Sequence, residues 1–235
     1  EGLVPPAAPD LQILRSAKER AKVVKKNPGA SLVDLGDGVL CVEFHSKMNS
    51  IGADTIQMLQ LGVREASQNF QALVVGNDAA NFSAGANLML VLLEAQEENW
   101  DEVDLMIRAF QQTTMAMRYA DVPVVVAPAG MTLGGGCEFA LHGDRVQVAV
   151  ETYMGLVEVG VGVIPAGGGT KEMVARAMEQ MPPGTTDYLP HVQRAFETVA
   201  FAKVSTSGPD AERIGYLAPT DAFTMNRVRL QYDAK

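Results

Sequence analysis

The sequence predicts an α/β domain with helices packed over sheets. Three observations lead there. Short apolar runs, such as 72–76 and 123–127, read as buried strands. Longer stretches with apolar residues at helical spacing lie between them. The order strand, loop, helix then recurs along the chain, with loops rich in Gly, Ala, Ser and Asn. There is no fixed-period sequence repeat and no low-complexity segment.

Residues 1–9 are Pro/Ala-rich and irregular. Residues 10–26 read as a helix, with Asp10 as N-cap and Asn27-Pro28-Gly29 as the stop. Stretches 31–35 and 39–44 alternate as strands around Gly36-Asp37-Gly38, a hairpin signal. Ile56, Leu59, Val63 and Ala66 mark a helix over 52–70. A buried strand at 72–76 leads into a loop at 77–86. Helices follow at 87–96 and 100–119, then a strand at 123–127 and a small-residue loop at 130–136. A short helix at 137–142, a strand at 145–150 and a glycine-rich stretch at 155–169 precede a helix reaching 181. This divides the chain into an N-terminal extension with a helix (1–29), a main domain (30–220) and the start of a cut-short helical region (221–235). The first residue is Glu1 and the last six show no helix-stop signal, so both ends read as those of a fragment.

Composition narrows the function. The chain has 235 residues, 47% of them hydrophobic, enough for a sizeable core. Its net charge of -9 offers no basic surface to meet a nucleic-acid backbone. The longest uncharged stretch, 122–137, holds two prolines and four glycines and is too short and broken to span a bilayer. No signal peptide is visible. Cys41 and Cys137 sit in apolar runs and read as free intracellular thiols. With His45, His142 and His191 scattered, no metal-ligand spacing is present.

Three glycine-containing segments follow strands, where α/β folds place ligands. In Asn81-Phe82-Ser83-Ala84-Gly85-Ala86-Asn87-Leu88, small residues permit close approach to the backbone, and Asn87 suits a helix N-cap. An ordinary strand-to-helix turn would look the same. In Met131-Thr132-Leu133-Gly134-Gly135-Gly136-Cys137-Glu138, glycines open a helix and leave its first N–H groups free. Glu138 there either serves chemistry or simply complements the helix dipole. In the third segment, 156–170, Glu158 is the lone charge in a long apolar run, an expensive place for an acid without a role. The end of that run has Gly169, not Lys, before Thr170, so it is not a phosphate-binding P-loop.

In this order the segments resemble the crotonase (enoyl-CoA hydratase/isomerase) family from about Leu32 to Leu217. Phe82-Ser-Ala-Gly-Ala-Asn looks like the first oxyanion-hole loop and Gly134-Gly-Gly-Cys-Glu like the second. Glu158, with Gly162-Val-Ile-Pro and Gly167-Gly-Gly-Thr, looks like the second acid segment, and Lys47-Met48-Asn49-Ser50 like an early CoA-contacting loop. The nearest likeness is to the hydratase portion of bacterial proteins that also carry a 3-hydroxyacyl-CoA dehydrogenase. Asn87 stands where the family usually has Asp, and Met89 near where many members have a Lys.

The resemblance implies a spiral of repeated β-β-α units, with two roughly perpendicular sheets flanked by helices. It implies hydration of a 2-enoyl-CoA in fatty-acid β-oxidation, in the cytoplasm, with no cofactor beyond the thioester substrate. Glu138 would activate water and Glu158 protonate Cα, though the roles are close enough to exchange. The N–H groups of Ala86 and Gly135 would form the oxyanion hole. Lys47, Ser83, Ala84, Asn87 and Leu88 would contact the CoA thioester. Expected partners are a linked or associated dehydrogenase domain and further copies of the chain, as dimer or trimer. The rival readings are an isomerase using Glu158 alone and an inactive acyl-CoA-binding or assembly module. A serine peptidase is a remote alternative, since Ser83 has no His and Asp companions by spacing.

Overall fold

A computed structural model describes residues 13–19 and 22–235. The expected Asp10 cap therefore lies outside the described residues. The chain runs α1 (Leu14–Glu19), β1 (Val23–Lys26), β2 (Ala30–Gly36), β3 (Val39–Phe44), α2 (Ala53–Asn69), β4 (Ala72–Gly76), α3 (Leu88–Gln96), α4 (Trp100–Arg118), β5 (Val124–Ala127), β6 (Gly130–Leu133) and α5 (Gly135–Leu141). It continues with β7 (Arg145–Ala149), β8 (Thr152–Gly155), α6 (Gly169–Glu179), α7 (Leu189–Ala200), α8 (Gly208–Ile214), β9 (Ala222–Thr224) and α9 (Leu230–Ala234).

Among the described residues, seven strands form one sheet in the order β1-β2-β3-β4-β5-β7-β9. The pairs β1/β2 and β2/β3 are antiparallel, and all pairs from β3 onward are parallel. A second, two-stranded parallel sheet joins β6 to β8. Single bridges extend this second layer, Ser83 pairing with Thr132 and Ile51 with Ala86. The expected repeat is visible in this arrangement. A strand of the large sheet (β3, β4, β5, β7) leads to an extended stretch in the second layer (Ile51, Ser83, β6, β8), and a helix follows (α2, α3, α5, α6).

The large sheet is covered on both faces, so its strands read as apolar runs. In β3, Leu40, Val42 and Phe44 face α2 and α5, joining Met58, Leu59, Phe139 and Leu141. Val39 and Cys41 point the other way, with Val33, Val74, Leu14 and Leu230.

Three elements depart from the sequence expectation. The helix over 10–26 ends at Glu19, and Val23–Lys26 is instead an edge strand on β2. Pairing with β2 overrides the helical pattern, and the β-branched Val23 and Val24 suit it. The loop over 130–136 begins as strand β6, because β8 arrives 22 residues later to pair with it. Residues 221–235, read as a helical start, first add β9 beside β7 and only then turn into α9. There Gln231 donates to the Asn77 carbonyl at 3.1 Å and Lys235 to that of Leu35 at 3.0 Å, closing one face of the sheet.

Helix α2 lies close on the sheet because Gly62 has no side chain. A Cβ there would stand 2.5 Å from Val42 Cγ2 and 3.1 Å from Leu32 Cδ2. Gly62→Ala should therefore lower unfolding stability by ~1–3 kcal/mol despite its helix propensity gain. A urea titration that finds the variant more stable would contradict this packing.

Candidate active site

The second layer draws four loops together. Ser83 and β6 exchange backbone bonds, Leu133 N–H to Ser83 at 3.0 Å and Ser83 N–H to Met131 at 3.1 Å. Gly134 N–H donates to Gly155 at 2.8 Å, tying in β8. Ile51 N–H reaches the Gly85 carbonyl at 2.9 Å, and Ala84 N–H the Met48 carbonyl at 3.2 Å. Gly85 holds φ at 92°, and a Cβ on it would stand 3.0 Å from Leu133 O and 3.5 Å from Gly135 N. Only glycine lets the two loops approach this closely.

Helix α5 starts at this junction. Its first intrahelical bond is Glu138 N–H to Gly134, so the N–H groups of the first turn before it lack intrahelical acceptors. Among the described residues, neither the N–H of Gly135 nor that of Ala86 meets an acceptor. The two donors thus sit in adjoining loops, one of them at a helix N-terminus where the dipole favours negative charge.

Glu138 lies on this first turn and is 3% exposed. Its Oε1 accepts the Gly169 N–H at 2.8 Å. Burial raises its pKa to about 7, with the Glu158 charge adding to the rise, while the N–H groups of Gly169 and Gly167 pull it down. Glu158 heads a single 3-10 turn, Glu158–Val161. Burial raises its pKa to about 6, and its Oε2 is buried with no hydrogen-bond partner. Its carboxyl rests over Gly134, where a Cβ would stand 3.3 Å from Oε1. Both acids therefore flank the opening of α5.

Sequence reasoning missed the wall of this site. Phe110 of α4 stacks on Phe139, with centroids 4.8 Å apart. Its ring fills the space where a Cβ on Gly135 or Gly167 would go. On an amphipathic helix Phe110 reads as ordinary core, and only the missing side chains opposite it mark its place. Gly167 and Gly169 stood in the recognised motif without a role; they are the donors to Glu138.

The expected ligand contacts separate into two groups. Lys47, Ala84, Asn87 and Leu88 are exposed around the site. Lys47 has no ion-pair partner among the described residues, and Asn87 caps α3 by accepting from Met89 N–H at 3.2 Å. Ser83 is different: it is wholly buried. Its hydroxyl donates to Asn49 O at 2.7 Å and accepts from Gly85 N–H at 3.0 Å. Its hydroxyl shapes the loop from inside. Helix α3 leaves Leu88, Met89, Leu90, Leu92 and Leu93 exposed beside Ala86. Among the described residues no cluster of His, Cys, Asp or Glu could hold a metal, and no helix is long and apolar enough to cross a membrane.

Residues 34–181 match the family model described as enoyl-CoA hydratase/isomerase, and the chain belongs to that family. A Bacillus subtilis (strain 168) protein named "Probable 3-hydroxyacyl-CoA dehydrogenase" is 49% identical over 222 residues, 94% of this chain and 28% of that protein. A Rickettsia prowazekii (strain Madrid E) protein, provisionally named a fatty acid oxidation complex trifunctional enzyme, is 33% identical over 72% of this chain and 24% of its own length. The chain thus spans about a quarter of these relatives. Among solved structures, the enoyl-CoA hydratase from Polaromonas sp. JS666 superposes with a TM-score of 0.72 at 19% identity, covering 87% of this chain and 74% of that one. The enoyl-CoA hydratase from Bacillus anthracis gives 0.70 at 20% identity, covering 87% and 73%. The fold is the crotonase fold.

Because the Glu158 charge raises Glu138, removing it should lower Glu138. In Glu158→Gln the Glu138 carboxyl should titrate below about 7, yet stay above the ordinary carboxyl range through burial. Carbon NMR of glutamate-labelled protein reads this directly. An unchanged midpoint would mean the two acids do not interact.

Proposed function

We propose that the chain hydrates 2-enoyl-CoA thioesters to 3-hydroxyacyl-CoA, a step of fatty-acid β-oxidation. The observation that carries this is the acid pair. Two carboxyls with raised proton affinity flank the start of one glycine-opened helix, beside two N–H groups without acceptors.

Hydration places OH on Cβ and a proton on Cα. It needs one ionised acid and one neutral acid sharing a water. With values of about 7 and about 6, the pair holds about one proton between those limits. In the free site that proton rests first on Glu138, whose value is the higher. The values lie close enough for a bridging water to pass it to Glu158. From that state, Glu138, held by its N–H donors, takes a proton from the water as its oxygen bonds to Cβ. The π electrons move onto the thioester as an enolate, and Glu158 delivers its proton to Cα. The N–H groups of Ala86 and Gly135 receive the enolate oxygen; losing one such donor typically costs ~3 kcal/mol of barrier lowering.

The rest of the reading follows from the surroundings. Lys47 is an exposed cation suited to a CoA phosphate, and the apolar side chains of α3 suit an acyl tail. The reaction needs no cofactor beyond its substrate. The product is a 3-hydroxyacyl thioester, which a 3-hydroxyacyl-CoA dehydrogenase consumes. The name of the Bacillus subtilis relative supports such an activity on the same polypeptide or in the same complex. A cytoplasmic setting and a dimeric or trimeric assembly belong to the same proposal.

Glu138→Gln and Glu158→Gln should each lower turnover of crotonyl-CoA by ~100-fold or more, with thioester binding retained in calorimetry. Wild-type-like turnover in either variant would sink the assignment. An isomerase using Glu158 alone would tolerate loss of Glu138 and turn over a 3-enoyl-CoA in preference to a 2-enoyl-CoA.

The pH profile has a definite sign. Below about 6 both acids are protonated and no base remains; above about 7 both are ionised and no acid remains. Hydration kcat/KM should therefore peak between those values and fall on both sides. A profile flat from pH 5 to 9 would exclude the pair mechanism.

A further inference from the structure

His142 is wholly buried and has no part in the reaction above. It follows α5 directly, and its Nδ1 lies 2.7 Å from the Glu138 carbonyl. A carbonyl only accepts, so Nδ1 carries the hydrogen and donates. It thereby satisfies one of the carbonyls left open at the end of the helix that bears Glu138. The other edge of the ring packs on Gly168, which holds φ at 117°. A Cβ there would stand 2.8 Å from both Cε1 and Nε2. Gly168 lies between Gly167 and Gly169, the two N–H donors to the Glu138 carboxyl. The imidazole is thus wedged between the backbone of Glu138 and the turn that grips its side chain. Thr114 holds the same turn from α4, donating to the Gly167 carbonyl at 2.8 Å.

An apolar side chain would fill this volume without burying a polar ring. The ring instead leaves Nε2 buried with no hydrogen bond, 3.6 Å from Glu172 Oε1, an arrangement that costs stability. Charged groups reach this corner from two elements. Lys171 of α6 lies 2.7 Å from Glu172 Oε1, and Arg176 of α6 donates to the Leu141 carbonyl at 3.0 Å. Arg118, at the end of α4, acts on both His142 and Glu172. Burial would raise Glu172, but Lys171, His142 and Arg118 outweigh it and keep it ionised. Burial lowers the proton affinity of His142, against the Glu138 carbonyl and the Glu172 charge, which raise it.

We infer that His142 is a positioning residue that fixes the Glu138 carboxyl against the glycine turn 167–169. The inference deepens the hydratase reading and rests on it for the role of Glu138. It makes a claim about one carboxyl, which can be measured without any turnover.

The test is titration of the Glu138 carboxyl carbon in glutamate-labelled protein, with the resonance assigned through Glu138→Gln. His142→Leu keeps apolar bulk against Gly168 but removes the donor to the Glu138 carbonyl, and with it the tie between the helix end and the turn. The N–H bonds that lower Glu138 then loosen, and its midpoint should rise by about half a unit or more. In His142→Asn the amide nitrogen stands where Nδ1 stood, and the midpoint should return most of the way. Turnover of crotonyl-CoA should fall about tenfold in His142→Leu with KM within about twofold, and recover in His142→Asn. An unshifted Glu138 midpoint in folded His142→Leu overturns the inference. So does a shift in His142→Asn as large as that in His142→Leu. Should His142→Leu fail to fold, His142→Gln replaces it, since its longer amide reaches toward Glu172 rather than the carbonyl. Equal Glu138 midpoints in the Gln and Asn variants then overturn it. If the hydratase reading itself fails, the wild type shows no hydration, while the titration still decides the role of His142.

Discussion

A buried carboxyl has to be held by donors, and here the donors are main-chain N–H groups that reach it only where no Cβ intervenes. Glu138 accepts from Gly169 at 2.8 Å, and a Cβ on Gly167 or Gly169 would fall within 3.0 Å of its carboxyl oxygens. The same constraint shapes the opposite side. Glu158 rests over Gly134, and Phe110 fills the space left beside Gly135 and Gly167. The glycines are therefore not flexible linkers. They are places where side-chain volume has been removed so that backbone, acids and one aromatic ring can share a small space.

The layering of the fold makes that crowding possible. The large sheet is a rigid platform, buried on both faces. Each of its central strands hands the chain to the second layer, where backbone bonds fix the loops to one another. Ser83 shows how tightly this is done. Its hydroxyl is spent on Asn49 and Gly85, so the loop carrying Ala86 is set from beneath. Sites held on such elements keep their geometry better than sites on free loops.

What the sequence revealed follows from the range of each interaction. Helix α2 and strand β4 were readable because their signals are local: Ile56, Leu59 and Val63 at helical spacing, and an apolar run closed by Gly76. Strands β6 and β8 were not, because each is too short to stand out and their parallel pairing joins residues 22 apart. Val23–Lys26 carried two lysines and a helical context, and only β2 makes it a strand. At the site, Glu158 stood out as a charge in an apolar run, and Glu138 through the glycines before it. Phe110 and His142 gave no such signal. Each has its place only because a glycine more than 20 residues away in sequence leaves room for it.

The acid pair also sets a tension between stability and chemistry. The proton of Glu138 is bound more tightly in the folded state, with a value of about 7 against an ordinary 4.5. A group raised on folding adds its stability below its unfolded value and loses it as pH climbs toward the folded one. Between about 4.5 and 7, then, Glu138 increasingly opposes folding, by roughly 3 kcal/mol once fully ionised. A glutamine in its place would be free of that burden. Retaining an acid there weakens the fold in the pH range where the pair is poised, so its presence is hard to explain by packing alone. The doubly covered sheet has to offset it. Under the proposed hydration, the justification of Glu138 is the reaction rather than the structure.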